Sequence, residues 1–447
     1  MRMTAVLRDK AGPPVLMAGG LLVTGLAGYG FVALSGHTLS PKDAAGVAAV
    51  YLLINLVGPG VFAALEQETN RTVSAELAAG GSVRAVARHA AWVGAGMLVV
   101  LVVVLAGLAP ILVPTTFGGS SGLFIALMLS TVTSAVVYLA RGLLAGTRRF
   151  AGYAATLAGE GVARLLPCVV LALVGAANAS VYCLIFAAGS LFGVLAAWPW
   201  LRRRTPVESV PGPLPKAAAA QGMAKRLVLL AGSTSLSQLI ANLAPVVMAG
   251  RLTGNAAVVA AFTSAFVLAR LPLTAFAPVQ ALMLPPLTAA AAKGELRIVR
   301  RLLGRIVAAA VAVGLLGTLA AGTLGPWAVR TLFGAKVDLG WQVLTALGAG
   351  TMLLMLGLIL QPGLVALGRH RVVAASWAAG AIVLVGLLFL PGDPLRAAII
   401  AQLVGSGLVA VGLGAGLVAA LGGRSQPVAA PVIPMTAQRP QPPSSTL

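Results

Sequence analysis

Three residues in the apolar body of this chain are of types that could do chemistry. Arg164 and Arg270 are cations inside long hydrophobic stretches, and Glu160 is the carboxylate that falls deep in one. A charge at bilayer depth costs about 3 kcal/mol on insertion scales. Charges kept at that cost face a bundle interior or a watery cavity, and buried cations suit a path for something anionic. Glu160 and Arg164 are four residues apart, so on a helix they share a face. Either they form an intrahelical ion pair that makes both tolerable, or their face lines a cavity where Glu160 tunes Arg164 or takes a proton. Pro167 follows and frees the carbonyl of Ala163 beside them.

Arg270 heads the segment RLPLTAFAPVQALMLPPL, with Pro272, Pro278 and Gln280 behind it. It either snorkels to an interface or lines a cavity. Arg141 stands at the end of a span, one turn from Tyr138, and reads as a positive anchor or a further cavity cation. Among neutral groups, Gln238 and Asn242 are i, i+4, and Asn55 precedes Gly58-Pro59-Gly60, where the sequence predicts a kink. Such residues hydrogen-bond helices together; they would also suit a sugar-bearing headgroup. Glu66, Glu68 and Arg71 suit a solvated charged turn, a short interfacial helix or a gate.

Other chemistries find no residues to carry them. His37, His89 and His370 are far apart and have no metal-type spacing. Cys168 and Cys183 fall in apolar spans and read as packing residues rather than a disulfide framework. No P-loop is present. The sequence therefore predicts a non-enzyme with no catalytic residues, no metal site and no cofactor.

The elements that must hold these residues are membrane helices. Hydrophobic residues make up 59% of the 447-residue chain and charged residues 9%. Each span needs about 20 residues, and about twelve such stretches can be laid out between residues 14 and 421. Strand-type alternation is not seen, and 54 glycines fit helices packed closely in lipid. The net charge of +21 could indicate a nucleic-acid partner, but its placement indicates topology. Of the 31 Lys and Arg, 24 fall on one alternating set of loops and tails, the positive-inside pattern. Both termini are expected in the cytoplasm, and no nucleic-acid partner is expected.

The expected fold is an all-α polytopic membrane protein with two six-helix lobes related by a pseudo-two-fold axis around a central cavity. The N-terminal lobe covers 1–201, a cytoplasmic linker 202–226, the C-terminal lobe 227–421 and a disordered cytoplasmic tail 422–447. Two internal matches support the repeat. GSVRAVAR (81–88) resembles GELRIVRR (294–301), and GLLAGTR (142–148) resembles GLVALGR (363–369), each pair separated by about half the chain.

With LEQETNR at 65–71, RGLLAGTRRFAGYAATLAGEGVARLLP at 141–167 and the segment from 270 to 287, the whole chain resembles the multidrug/oligosaccharidyl-lipid/polysaccharide exporter superfamily. Within it, the chain looks most like bacterial polysaccharide-type flippases. The resemblance implies translocation of a lipid-linked saccharide across a bacterial plasma membrane by alternating access. Its partners would be that substrate, membrane lipids and glycosyltransferases or a polymerase of the same pathway. Arg164 and Arg270 fit the cationic cavity of such relatives by residue type. The superfamily's drug/cation antiporters usually have an acidic residue in the N-terminal lobe, and Glu160 could serve that role. A non-transporting membrane scaffold is the third reading.

Overall fold

The computed structural model describes residues 2–78, 80–203, 217–274, 287, 290 and 295–422. Gln280, most of the expected linker and nearly all of the expected tail lie outside these residues. In the first half, α1 (Arg2–Thr38) and α2 (Pro41–Val57) are followed by a π-helical turn, Gly58–Phe62, and α3 (Ala63–Ala78). Then come α4 (Val83–Ile111), α5 (Ser121–Gly146), α6 (Phe150–Leu173), α7 (Ala179–Ala196) and the short α8 (Trp198–Leu201). The second half comprises α9 (Ala217–Arg251), α10 (Ala256–Leu268), α11 (Leu296–Thr323), α12 (Gly325–Phe333), α13 (Trp341–Ala366), α14 (His370–Leu388) and α15 (Pro394–Gly422). Eleven segments among the described residues are long and apolar enough to cross a bilayer, and α9 adds a further 35-residue helix. The chain is a multi-pass, all-helical membrane protein.

Two lobes emerge from the packing. In the first, α1 lies along α6, α5 and α6 both pack on α7, and α3 and α4 pack on α5. In the second, α11 packs on α13, α15 on α13 and α14, and α9 on α14 and α15. Outward faces carry bare apolar side chains, such as Val99, Val100 and Val103 on α4 and Leu315, Leu316 and Leu319 on α11. Lipid is the solvent that accepts such surfaces.

The internal repeat extends to the backbone. Ser82 precedes α4 and Glu295 precedes α11, and each carbonyl accepts from the amides three and four residues on. Each then buries a valine one turn in, Val86 and Val299. The second sequence match is off by one residue. Backbone geometry pairs Arg148 (φ 57°) with Gly368 (φ 73°), both left-handed, and so pairs Arg149 with Arg369. The amides of Arg149 and Arg369 close the same turn, onto Leu144 O and Leu364 O. The turn requires a left-handed residue, which glycine supplies cheaply and Arg148 supplies at a cost.

Both turns lie at the Arg-rich end of the bundle, with Arg84, Arg88, Arg297 and Arg301. At the opposite end the lobes meet. Gly36, near the end of α1, lies so close to the Phe333 carbonyl that no Cβ would fit. Gly250 on α9 lies beside Thr115 and Thr116, which follow α4.

The second span is longer than the sequence suggested. The expected kink at Gly58-Pro59-Gly60 is the π-helical turn. Beyond it LEQETNR is no solvated turn, because α3 continues through it and packs on α5. Glu68 is buried and takes a bidentate contact from Arg71, at 2.7 and 2.9 Å.

Candidate functional site: a cationic cavity with a lateral mouth

Glu160 and Arg164 lie on the face of α6 that meets α7. Room for them comes from α7: a Cβ on Gly193 would meet Glu160 Cβ at 3.1 Å, and one on Gly189 would collide with Arg164. The i, i+4 pair anticipated from sequence forms, with Arg164 Nη2 2.5 Å from Glu160 Oε1. Ser190 Oγ, also on α7, donates to the same oxygen at 2.6 Å. The other oxygen, Oε2, accepts from Arg141 Nη2 on α5.

Arg141 is therefore more than an anchor. Its span continues another turn to Gly146, which places the guanidinium inside the lobe, 6% exposed. Its Nε donates to Thr156 Oγ1 at 3.0 Å, and Tyr138 lies under it with the ring centroid 5.6 Å away. Arg164 is held similarly: Nε donates to Phe186 O at 3.2 Å, Nη2 to Ser190 Oγ at 2.9 Å, and the Phe186 ring lies 4.2 Å below. Nη1 of each arginine has no protein partner among the described residues. One carboxylate thus meets two guanidiniums, and these three side chains together keep one net positive charge; a second buried carboxylate, Glu66, lies within electrostatic reach of Arg141 and Glu160. The residues sequence reasoning missed are Ser190, Thr156 and the Arg141–Glu160 contact. No local spacing could have revealed them, because each contact joins different helices.

The cluster forms one wall of a cavity of about 740 Å³ between the lobes. Asn55, Tyr51, Tyr29 and Tyr138 add polar lining, while Leu271, Pro272, Val313 and Gly317 bring in the second lobe. Asn55 spends one donor on Tyr51 O, at 2.8 Å. The mouth is rimmed by bare leucines, Leu22 and Leu26 on α1, Leu271, and Leu316 on α11. It therefore opens sideways, toward lipid, between α1 and α11.

Arg270 stands beside this cavity, where the chain bends after α10. Its guanidinium lies 4.3 Å from the Phe266 ring centroid, and no carboxylate among the described residues pairs with it. Its Nε is buried without a hydrogen-bond partner. It does not snorkel out: Tyr29 and Tyr51, both cavity residues, lie within its electrostatic reach. Gln238 and Asn242 are placed elsewhere. Asn242 Nδ2 bonds Gln238 Oε1 at 3.0 Å, and Gln238 packs near Gly60 at the junction of the lobes, outside the cavity lining. The shared face read from their spacing is real, but there Asn242 donates to Gln238 itself. Glu66 sits beyond the cluster, where its Oε1 accepts from Tyr153 OH at 2.7 Å. Among the described residues, no group of His, Cys, Asp and Glu is arranged to hold a metal.

Comparison with known proteins bears on the fold. No family model matches the chain. Uncharacterized proteins of Mycobacterium bovis and Mycobacterium tuberculosis are 27% identical over 406 residues, 88% of this chain and 88% of theirs. An inward-facing multidrug resistance MATE family transporter of the MOP superfamily superposes with a TM-score of 0.70 at 15% identity, covering 89% of this chain and 94% of that one. The outward-facing form gives 0.62 at 16% identity, covering 91% and 94%. A MOP superfamily transporter from Pyrococcus furiosus, for which reversed pocket polarity suggests a different function, gives 0.57 at 16% identity, covering 92% and 96%. The fold is the two-lobed architecture of the MOP superfamily.

Proposed function

We propose that this protein is a transporter that moves a lipid-linked saccharide precursor from the cytoplasmic to the outer leaflet of a bacterial plasma membrane, by alternating access, for cell-envelope polysaccharide synthesis. The Arg-rich end of the bundle faces the cytoplasm in this reading, as the positive-inside pattern requires. The observation that carries it is the pairing of a net-positive wall with a leucine-rimmed lateral mouth. An amphiphile can leave its tail among Leu22, Leu26 and Leu316 while its head enters the cavity. The unused Nη1 donors of Arg141 and Arg164, with Arg270 beside the same cavity, suit a phosphate-bearing head. Tyrosine rings and the Asn55 amide offer the stacking and hydrogen bonds a sugar needs. Glycosyltransferases or a polymerase would supply and consume the substrate.

The fold likeness to multidrug resistance transporters supports a second reading, a proton- or sodium-coupled drug antiporter. The local geometry favours it less. An ion-carrying carboxylate must be free to exchange its partners, whereas Glu160 is held by two guanidiniums and a hydroxyl.

The test is transbilayer movement of a fluorescent polyprenyl-diphosphate saccharide in proteoliposomes. The wild-type protein should move it. Arg164→Gln, which leaves Glu160 paired with Arg141 and Ser190, should insert normally and lose that movement. Transport of organic cations, with none of the tagged lipid, would overturn the flippase reading in favour of the antiporter.

A further inference from the structure

The start of α11 carries four arginines within three turns: Arg297, Arg300, Arg301 and Arg305. All four are exposed, and no carboxylate among the described residues lies within ion-pair distance of any of them. Three of them share one i, i+4 ridge. Followed along the helix, that ridge reads Arg297, Arg301, Arg305, Ala309, Val313, Gly317. Its last two members line the cavity, and Gly317 packs against Pro272, two residues from Arg270. Three uncompensated guanidiniums therefore begin a ridge that winds about 40° per step, from the exposed face at the Arg-rich end, past Ala309, to Val313 and Gly317 in the cavity lining, with Leu316 on its rim.

The other lobe supplies a natural comparison. On α4, at the positions the backbone repeat matches to Arg297 and Arg301, stand Arg84 and Arg88. Where α11 continues with Arg305, α4 has Trp92, which is 74% exposed. No described cavity follows along α4. Arginines that only mark the cytoplasmic side would serve equally on both helices, so the extension on α11 alone needs a further cause.

We propose that Arg297, Arg301 and Arg305 form a docking lane for the phosphate-bearing headgroup of a membrane lipid and pass it along one ridge of α11 to the cavity mouth. The proposal rests on the transport reading above and names where its substrate boards. Charge complementarity selects a phosphate, since guanidiniums bind it bidentately. The exposed apolar flank, with Ile298 beside the lane and Leu316 at its end, selects a lipid rather than a free anion.

The test places a benzoylphenylalanine photocrosslinker at Ala309, midway along the ridge, or at Gly96, the matching exposed site on α4. Protein in phosphatidylcholine vesicles containing radiolabelled phosphatidic acid is irradiated. Labelling at Ala309 should exceed that at Gly96 about fivefold or more, given that each basic side chain near the surface adds appreciable attraction for anionic lipid. Arg301→Gln with Arg305→Gln should abolish the excess, and Arg84→Gln with Arg88→Gln, which removes the same charge, should leave it intact. Equal labelling at the two sites would overturn the lane, and that comparison needs no arginine variant to fold. Labelling at Ala309 that persists in the Arg301/Arg305 variant would also overturn it. If labelling behaves as expected but the wild-type protein moves no tagged saccharide lipid, the transport reading falls and the lane stands.

Discussion

In the first lobe α6 turns Glu160 and Arg164 toward α7, where Gly193 and Gly189 leave room for them. Counting from the matched left-handed turns, α14 of the second lobe carries Gly380 and Leu384 at those places, and Gln361 stands where α5 has Arg141. The size pattern is inverted at one contact. A Cβ on Gly380 would run into Val409 and the Gly405 carbonyl of α15, so the bulk lies on α15 and the gap on α14. The polar chemistry there is neutral: Trp377 Nε1 donates to Gln361 Oε1 at 2.8 Å, and Gln402 Nε2 to Ser406 Oγ at 3.0 Å within α15. One helix plan thus holds either a three-charge cluster or a nearly apolar seam, with the glycine changing sides at one of the two contacts and staying in place at the other, Gly405 against Leu384. The charged cluster lies in the first lobe, and the second lobe adds apolar lining to the same cavity.

The comparison breaks most directly at Glu160. Glu160→Ala leaves Arg141 and Arg164 buried without their counter-charge, and losing one member of a buried ionic cluster typically costs about 3–5 kcal/mol. We expect a large drop in thermal unfolding temperature in detergent and complete loss of lipid movement. A melting curve like the wild type's would mean the cluster is as dispensable as its second-lobe counterpart.

Arg141→Gln makes the first lobe resemble the second at this position. Glu160 keeps Arg164 and Ser190, so the fold should survive with a loss of about 1–3 kcal/mol, the range for one charge-assisted bond. Movement of the tagged lipid should fall tenfold or more, about 1.4 kcal/mol in barrier terms, because the cavity wall loses its net positive charge. Unchanged transport would remove Arg141 from the site.

Much of this asymmetry was legible in the sequence wherever the signal was local. Hydrophobic runs located the spans, and i, i+4 spacing found Arg164 beside Glu160. The matched loops found the repeat, although composition alone could not fix its register at Arg148. Contacts between helices carry no such signal. Arg141 read equally as an anchor because its depth depends on how far α5 continues beyond it. Glu68 read as solvated because LEQETNR is polar in composition, yet packing on α5 buries it. Gln238 and Asn242 show the reverse: their spacing was read correctly, but which cavity their face meets is set by the junction of the lobes.

The same contrast predicts a small effect from the second lobe's own polar pair. Gln361→Leu removes the acceptor of the buried Trp377 indole, and an unsatisfied buried donor costs about 1–3 kcal/mol. Unfolding temperature should drop modestly while lipid movement changes less than with Arg141→Gln. A transport defect as large as that of Arg141→Gln would show that both lobes carry the site.

The smallest expected effect tests how the unequal lobes are joined. At the π-helical turn of the second span, the Gly60 carbonyl accepts from Thr234 Oγ1 at 2.6 Å and from Ser235 Oγ at 3.1 Å, both on α9. The first lobe thus offers a backbone acceptor from an irregular turn, and the second offers hydroxyls. The transport cycle proposed above requires one lobe to rock against the other at this junction. Thr234→Val removes the shorter of the two bonds, and a neutral bond is worth about 1 kcal/mol. That is about fivefold in the balance between the form closed at the end away from the arginines and the form open there. Spin labels at Lys42 and Thr253, which face one small interlobe cleft at that end, would report the shift as a larger long-distance population. The native thiols, Cys168 and Cys183, are buried and leave those labels undisturbed. An unchanged distance distribution would mean the hydroxyls only satisfy the turn's carbonyl, and that the closed end is held by packing such as that of Gly36 against Phe333 and of Gly250 against Thr115 and Thr116.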